Sequence, residues 1–326
     1  MPLIGRVPSI GEEIAMGKLA FIFPGQGAQV VGMGKDLFDR YDLAKQRFAE
    51  ADAALGYSIS TLCFEGPAEK LQLTEHTQPA ILTVEVIAAE LLREAGVAPE
   101  VAGGHSLGEY GALVLAGVMS FQDAVLLVHK RGAYMQEAVP VGEGAMAAVI
   151  GLDDERIVAV CAEASSAGAV QAVNFNCPGQ TVIAGTVRGV ERAVELLKEQ
   201  GAKKAVILPV SAPFHSTLMA PAAQKLAAEL DKVEIRDAAF PVVSNYTGKL
   251  QQSAAEIKKN LIAQADHPVR WIACVETMKE FGADTYVECG PGKTLAGFNK
   301  RIDKSLVSMN VENVDSLQKT LDTLKK

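Results

Sequence analysis

Cysteine is scarce and scattered: Cys63, Cys161, Cys177, Cys274 and Cys289 are the five in 326 residues, with no C-x-x-C pair and no histidine at metal-ligand spacing. That pattern excludes a disulfide scaffold and a zinc module, and a chain of this length buries a full core without either. A reduced protein that holds no metal is expected. Basic residues are also in the minority, 31 Lys and Arg against 39 Asp and Glu, for a formal net charge of −8. Proteins that track phosphate backbones need the opposite balance, so no nucleic acid is expected among the partners. No apolar run approaches the roughly 18 residues that span a bilayer. Met1 to Ala15 mix Gly, Pro, Arg and Glu and lack the apolar stretch of a signal peptide. Residues 1–15 are read as an N-terminal extension, with Met16 as the natural start. The remainder is read as a cytoplasmic monomer with no membrane contact.

Two nucleotide-binding loops are incomplete. Gly25-x-Gly27 has Val30 where a dinucleotide loop has its third glycine, and Gly292-Lys293-Thr294 has Val287 where a P-loop has its leading glycine. Hydride transfer and nucleotide hydrolysis are set aside on that ground.

What is present is an alternation of strands and helices. Leu19 to Phe23 is a buried-strand run ended by Pro24-Gly25, and Pro79 to Glu94 repeats apolar residues at helical spacing before the stop at Gly96. Val101 to Gly104 forms a second strand, followed at once by Ser106 and an Ala/Leu-rich helix to about Gly117. From Ala145 to Val210 the order is strand, helix, strand, strand, helix, strand, the ferredoxin-like βαββαβ arrangement, here set into a larger unit. Further strands at Val242 to Asn245, Thr285 to Cys289 and Leu306 to Met309 alternate with helices, so the main sheet is expected to be largely parallel. The fold class is α/β, with a discontinuous large domain (16–141 and 212–326) and an inserted small one (142–211).

Gly104-His105-Ser106-Leu107-Gly108 satisfies G-x-S-x-G between a strand and a helix, the context in which that motif lifts a serine hydroxyl clear of the backbone. The alternative is a glycine-rich turn carrying an incidental serine. A serine nucleophile needs a base. Of His76, His105, His129, His215 and His267, His215 is the best placed, in the loop Ser211-Ala212-Pro213-Phe214-His215-Ser216 that leaves a predicted strand. No aspartate announces itself as its partner, so a backbone carbonyl or an asparagine must orient it.

The helix Phe121 to Ala138, capped by Ser120, carries Ala124, Leu127, Val128, Met135 and Ala138 on its apolar stripe, and Arg131 falls on that stripe. An inward guanidinium is either half of an internal salt bridge or a receptor for a substrate carboxylate.

With Phe23-Pro24-Gly25-Gln26-Gly27, Gly104 to Glu109, Arg131, Asn174 to Gln180, Ala212 to Ser216, Pro268 to Trp271 and Gly290-Pro291-Gly292 in order from about Leu19 to the C-terminus, the chain resembles malonyl-CoA:acyl carrier protein transacylases. The resemblance implies an α/β-hydrolase-like large domain and a malonyl-serine intermediate formed from malonyl-CoA and passed to the phosphopantetheine thiol of acyl carrier protein. No other cofactor is implied. It makes Ser106 the nucleophile, His215 the base and Arg131 the clamp on the malonyl carboxylate. The amides of Gln26 and Leu107 would hold the oxyanion, Phe214, Met135, Asn174 and Asn176 would line the substrate, and the main-chain carbonyl of Arg270 would orient the histidine. A serine hydrolase is the first rival, disfavoured by the missing HGGG-type motif; a docking module without chemistry is the second, and a freestanding polyketide acyltransferase is the pathway alternative. Basic candidates for carrier docking are Arg188, Arg192, Lys300, Arg301 and Lys304.

Overall fold

The structure, a computed structural model, describes residues 17–210 and 212–325, so the expected N-terminal extension and Ser211 lie outside the described residues. Strand β1 (Lys18–Phe23) is followed by four helices, α1 (Lys35–Arg40), α2 (Asp42–Leu55), α3 (Ile59–Glu65) and α4 (Ala68–Leu71). Then come α5 (Thr74–Glu94), β2 (Val101–Gly104), α6 (Gly108–Leu115) and α7 (Phe121–Glu137). The inserted unit comprises β3 (Gly144–Ile150), α8 (Asp154–Ala164), β4 (Val170–Cys177), β5 (Gln180–Thr186), α9 (Val187–Glu199) and β6 (Lys204–Ile207). The chain closes with α10 (Ala220–Leu230), β7 (Val242–Val243), β8 (Leu250–Gln251), α11 (Ala254–Gln264), α12 (Trp271–Glu280), β9 (Ala283–Cys289), α13 (Thr294–Ile302), β10 (Val307–Val311) and α14 (Val314–Leu324).

Two sheets result. The larger has the order β10-β9-β1-β2-β7-β8 and is parallel except for the β7–β8 pair. In β1, Ala20 and Ile22 face α12 and α13 while Phe21 and Phe23 face α5, α6 and α7, and all four are buried. Covering both faces is why the strand reads as an unbroken apolar run. The smaller sheet, β4-β5-β3-β6, is antiparallel. Its alternation in β3 sends Ala145, Ala147 and Val149 toward α8 and α9, and Met146 toward the large unit. The two units are joined where Val269 N donates to Val173 O (2.8 Å) and Phe175 N to Val269 O (3.0 Å).

Several boundaries differ from the sequence expectation by one to five residues. Helix α5 begins five residues before Pro79. A proline inside a helix leaves the carbonyl four residues back without its donor; here that carbonyl, of Glu75, accepts from His129 Nδ1 at 2.8 Å. The strand expected at Val242 to Asn245 stops at Val243, because Asn245 turns its amide and side chain into the site described below. Strand β6 ends at Ile207 in place of Val210.

Glu85 of α5 is fully buried, and neither carboxyl oxygen has a hydrogen-bond partner among the described residues. Burial, and secondarily the nearby Glu288, holds its pKa well above the ordinary 4.5. A raised carboxyl pKa leaves stability intact below about 4.5 and removes it as pH climbs toward the folded-state value. Glu85→Met should therefore stabilise the protein by an amount that grows with pH. Denaturation midpoints compared at acid and alkaline pH check this; a gap that stays constant would refute it.

Candidate active site

Ser106 sits at the joint between β2 and α6 in the left-handed backbone region, at φ 54. Strain of that kind survives only where neighbours dictate it. A Cβ on Gly104 would lie 1.9 Å from the carbonyl carbon of Gly108, and one on Gly108 would lie 2.0 Å from Phe23 O, so both motif glycines are forced by close backbone approach. Asn245 clamps the turn from the other side: its Oδ1 accepts from Ser106 N (2.6 Å) and its Nδ2 donates to Gly104 O (2.7 Å).

His215, also left-handed at φ 61 and 3% exposed, places Nε2 at 2.6 Å from Ser106 Oγ. Its Nδ1 lies 2.8 Å from a main-chain oxygen, that of Gln264. A carbonyl can only accept, so Nδ1 carries the proton and Nε2 is left bare to take the serine's. Burial first, and then the positive charge of Arg131, drive the imidazole pKa down to about 3. The ring is a neutral base throughout the physiological range.

The carbonyl expected from Arg270 is thus a correction: it belongs to Gln264. Arg270 precedes α12, and its oxygen is taken by Cys274 N at 2.9 Å, while its Nε donates to Tyr246 O. Gln264 is the last residue of α11, where carbonyls lack the donor a further turn would bring.

Arg131 of α7 is 1% exposed. Its Nη1 donates to Gln78 Oε1 (2.8 Å), and its Nη2 to Gln264 Oε1 (2.9 Å) and to Ser106 Oγ (3.1 Å). The ring of Tyr110 lies 5.3 Å from the guanidinium carbon. Among the described residues no Asp or Glu reaches it within ion-pair distance. An internal salt bridge is therefore not what turned it inward.

These groups share a cavity of about 270 Å³ between the two units. Ser106, His215, Arg131, Gln26, Leu107, Phe214, Met135, Asn174 and Asn176 all line it, with Met146, Val182 and Leu208 of the small unit as an apolar wall. The main-chain amides of Gln26 and Leu107 have no protein acceptor among the described residues. Gly25 lets the Gln26 loop approach: a Cβ there would stand 2.6 Å from His105 O. Asn176 Oδ1 accepts from His105 Nε2 at 2.8 Å, while Asn174 Oδ1 is buried without a partner among the described residues.

Residues 20–320 match the family model described as Acyl transferase domain. The chain is 48% identical over 312 residues to the malonyl CoA-acyl carrier protein transacylase of Bacillus subtilis (strain 168), an overlap of 95% of this chain and 98% of that relative. The chain belongs to the malonyl CoA-acyl carrier protein transacylase family. Within that family's solved structures, the acyl-carrier-protein S-malonyltransferase of Burkholderia pseudomallei 1710b superposes with a TM-score of 0.91 at 49% identity, covering 94% of this chain and 99% of that one. A malonyl-transacylase solved with a type II PKS acyl-carrier protein gives a TM-score of 0.92 at 46% identity, covering 94% and 99%.

Sequence reasoning missed Gln78, Asn245 and Gln264. One carried a legible signal, the same one that revealed Arg131: Gln264 follows Ile257, Asn260 and Leu261 on the buried stripe of α11, whereas Gln78 precedes Pro79, the expected start of its helix.

For His215 the unfolded chain binds a proton below about 6.5 that the folded chain does not, so this residue withdraws stability as pH falls through that point. In the folded protein the ring should show no NMR titration between about pH 8 and about pH 5. A midpoint near 6.5 would mean that the imidazole is open to water.

Proposed function

We propose that this chain transfers the malonyl group from malonyl-CoA to the phosphopantetheine thiol of acyl carrier protein, supplying fatty acid synthesis, with Ser106 as the residue acylated in between. The observation that carries this reading is the buried Arg131, without a carboxylate of its own, donating to the hydroxyl of Ser106. A neutral acyl group gives such a cation nothing to bind.

Ser106 Oγ attacks the thioester carbonyl while His215 Nε2 takes its proton. The amides of Gln26 and Leu107 receive the oxyanion. The carbon–sulfur bond breaks, and His215 returns the proton to the departing coenzyme A thiolate. The carrier thiol then gives its proton to His215 and attacks the malonyl ester, and Ser106 leaves reprotonated. The sequence needs no cofactor beyond the phosphopantetheine that the partner brings. The helix dipole of α6 adds to the pull at Leu107.

The discontinuous large unit is read as α/β-hydrolase-like and the inserted unit, residues 142–211, as ferredoxin-like; the spatial order β4-β5-β3-β6 supports the second assignment. No helix among the described residues is long and apolar enough to cross a membrane. The likeness to a transacylase solved with a type II PKS carrier protein favours a second reading, in which the same chemistry loads a polyketide carrier. Transfer to carrier proteins of both kinds, compared in one assay, separates the two.

Helix α13 is the best support for carrier docking. Thr294, Leu295 and Phe298 line the cavity, while Lys293, Lys300, Arg301 and Lys304 are exposed around it. Arg301 is occupied, bonding Gln180 Oε1 and Pro178 O. Arg188 and Arg192 are on α9, whose apolar side covers the sheet face opposite Met146, so they are withdrawn from the docking surface. Charge reversal at Lys300 and Lys304 should raise the KM for acidic carrier protein and spare that for malonyl-CoA. Equal changes in both constants would remove α13 from the docking surface.

Competition between malonyl-, acetyl- and methylmalonyl-CoA tests the acyl assignment. Arg131→Ala should cut malonyl transfer more than acetyl transfer by about ten-fold or more, the range of a charged hydrogen bond. The Phe214 ring, on the cavity wall, should make methylmalonyl a poor substrate, and Phe214→Ala should improve it. Intact-mass measurement should find the malonyl adduct in wild type and none in Ser106→Ala. A parallel loss of malonyl and acetyl transfer in folded Arg131→Ala would leave Arg131 a structural residue.

A further inference from the structure

Glu109, the second residue of α6, is buried completely beneath the active site. Its Oε2 accepts from Asn245 N (3.0 Å) and Gln264 Nε2 (2.8 Å), and its Oε1 accepts from Gln251 Nε2 (2.7 Å). All three partners are N–H donors. Burial raises the Glu109 pKa above the ordinary 4.5, and these three hydrogen bonds and the charge of Arg131 oppose that rise; with Gln251 presenting its Nε2, the arrangement suits an ionised carboxylate. A buried carboxylate in turn calls for a cation.

That cation is Arg131, and the two do not touch. The side-chain amide of Gln264 stands between them, with Nε2 donating to Glu109 and Oε1 accepting from Arg131 Nη2. The amide cannot turn over, because Nε2 also donates to Ser106 O at 2.9 Å. The oriented dipole therefore lies between the carboxyl group and the guanidinium.

We propose that Glu109 sets the strength with which Arg131 holds an anionic acyl group: it neutralises the guanidinium across Gln264, so that the distal carboxylate is selected yet still released to the acceptor thiol. Glu109 is a specificity-determining residue that touches no substrate. The proposal rests on the reading of Arg131 as the carboxylate receptor.

Sign separates this from simple support of the fold. If Glu109 only propped up Arg131, its loss would weaken malonyl selection. If it tempers Arg131, Glu109→Gln should strengthen selection, because the guanidinium then faces the acyl anion without a competing charge. The amide can keep its oxygen toward Asn245 N and Gln264 while Gln251 and Asn260 reverse theirs. The malonyl-to-acetyl ratio of kcat/KM should rise roughly ten-fold, and the KM for malonyl-CoA should fall. A ratio that is unchanged or lowered overturns the proposal.

Should Glu109→Gln not fold, the double variant Glu109→Gln/Gln251→Glu decides. It exchanges the two groups, keeps every hydrogen bond satisfied, since Asn260 Nδ2 already donates to position 251 at 2.9 Å, and moves the charge away from Arg131. A smaller rise is expected, and no rise overturns the proposal. Arg131→Ala in the same assay keeps the two readings apart. A ratio unaffected by Arg131→Ala removes the receptor itself, whereas a ratio lost there but unmoved by both Glu109 variants removes Glu109 alone.

Discussion

A guanidinium taken out of water needs compensation of several kcal/mol, and a neighbouring carboxylate is the usual source. Arg131 touches neutral oxygens in its place, those of Gln78, Gln264 and Ser106, together with the ring of Tyr110, and the carboxylate of Glu109 stands one residue further off, behind Gln264. These keep the cation soluble in the protein interior and leave its strongest interaction unmade. The elements around it follow from that need. Helix α5 brings Gln78, α11 brings Gln264, and α6 brings both Tyr110 and Glu109. Packing α5 against α7 through small contacts, with Gly132 so close to Thr74 that a Cβ would stand 2.5 Å from its carbonyl oxygen, is what lets Gln78 reach.

Gln264 is the point at which three demands meet. Its backbone carbonyl fixes the tautomer of His215, its amide oxygen receives Arg131, and its amide nitrogen ties Ser106 O to Glu109. His215, Arg131 and Ser106 are therefore held by one residue at one helix end. The absence of a triad aspartate follows naturally. A carboxylate beside His215 would raise its proton affinity, and it would also compete with the substrate for Arg131, which is already close enough to depress the imidazole pKa. A neutral carbonyl orients the ring without adding a charge.

The parts of this site legible in the sequence are those whose cause is local. Gly104 is required by a backbone contact with Gly108 inside the motif; Gly108 owes its place to Phe23 of β1, and only the fixed spacing of the motif records it. The inward face of Arg131 is recorded by helical periodicity, and the small unit by its strand and helix order. Gln264 and Arg270 differ by six residues in a segment that meets His215 from 49 positions away, and which carbonyl is free depends on where two helices end and begin. Nothing local encodes that. The start of α5 was hidden for a similar reason: Pro79 reads as a boundary until His129, on another helix, supplies the missing donor. Arg188 and Arg192 looked suited to docking because charge is visible in sequence and the side of the sheet it occupies is not.

Transfer and hydrolysis share an acyl-serine, and what separates them is whether water or a thiol reaches the ester first. Here the ester would form beside an apolar wall supplied by Met146, Val182, Leu208 and Phe214, which Phe214 joins to the cluster of Met135. His215 is 3% exposed, while Ser106 beside it is half-buried, and both line the cavity. The wall belongs largely to the inserted unit, and the pair of hydrogen bonds between Val269 and β4 fixes its distance from Ser106. A slender thiol arm entering from the α13 side fits a cleft of this form, since its own chain can exclude solvent as it arrives. The small unit thus borders the serine without contributing a charged group: Met146, Val182 and Leu208 give the cleft an apolar side that a slender acceptor can fill.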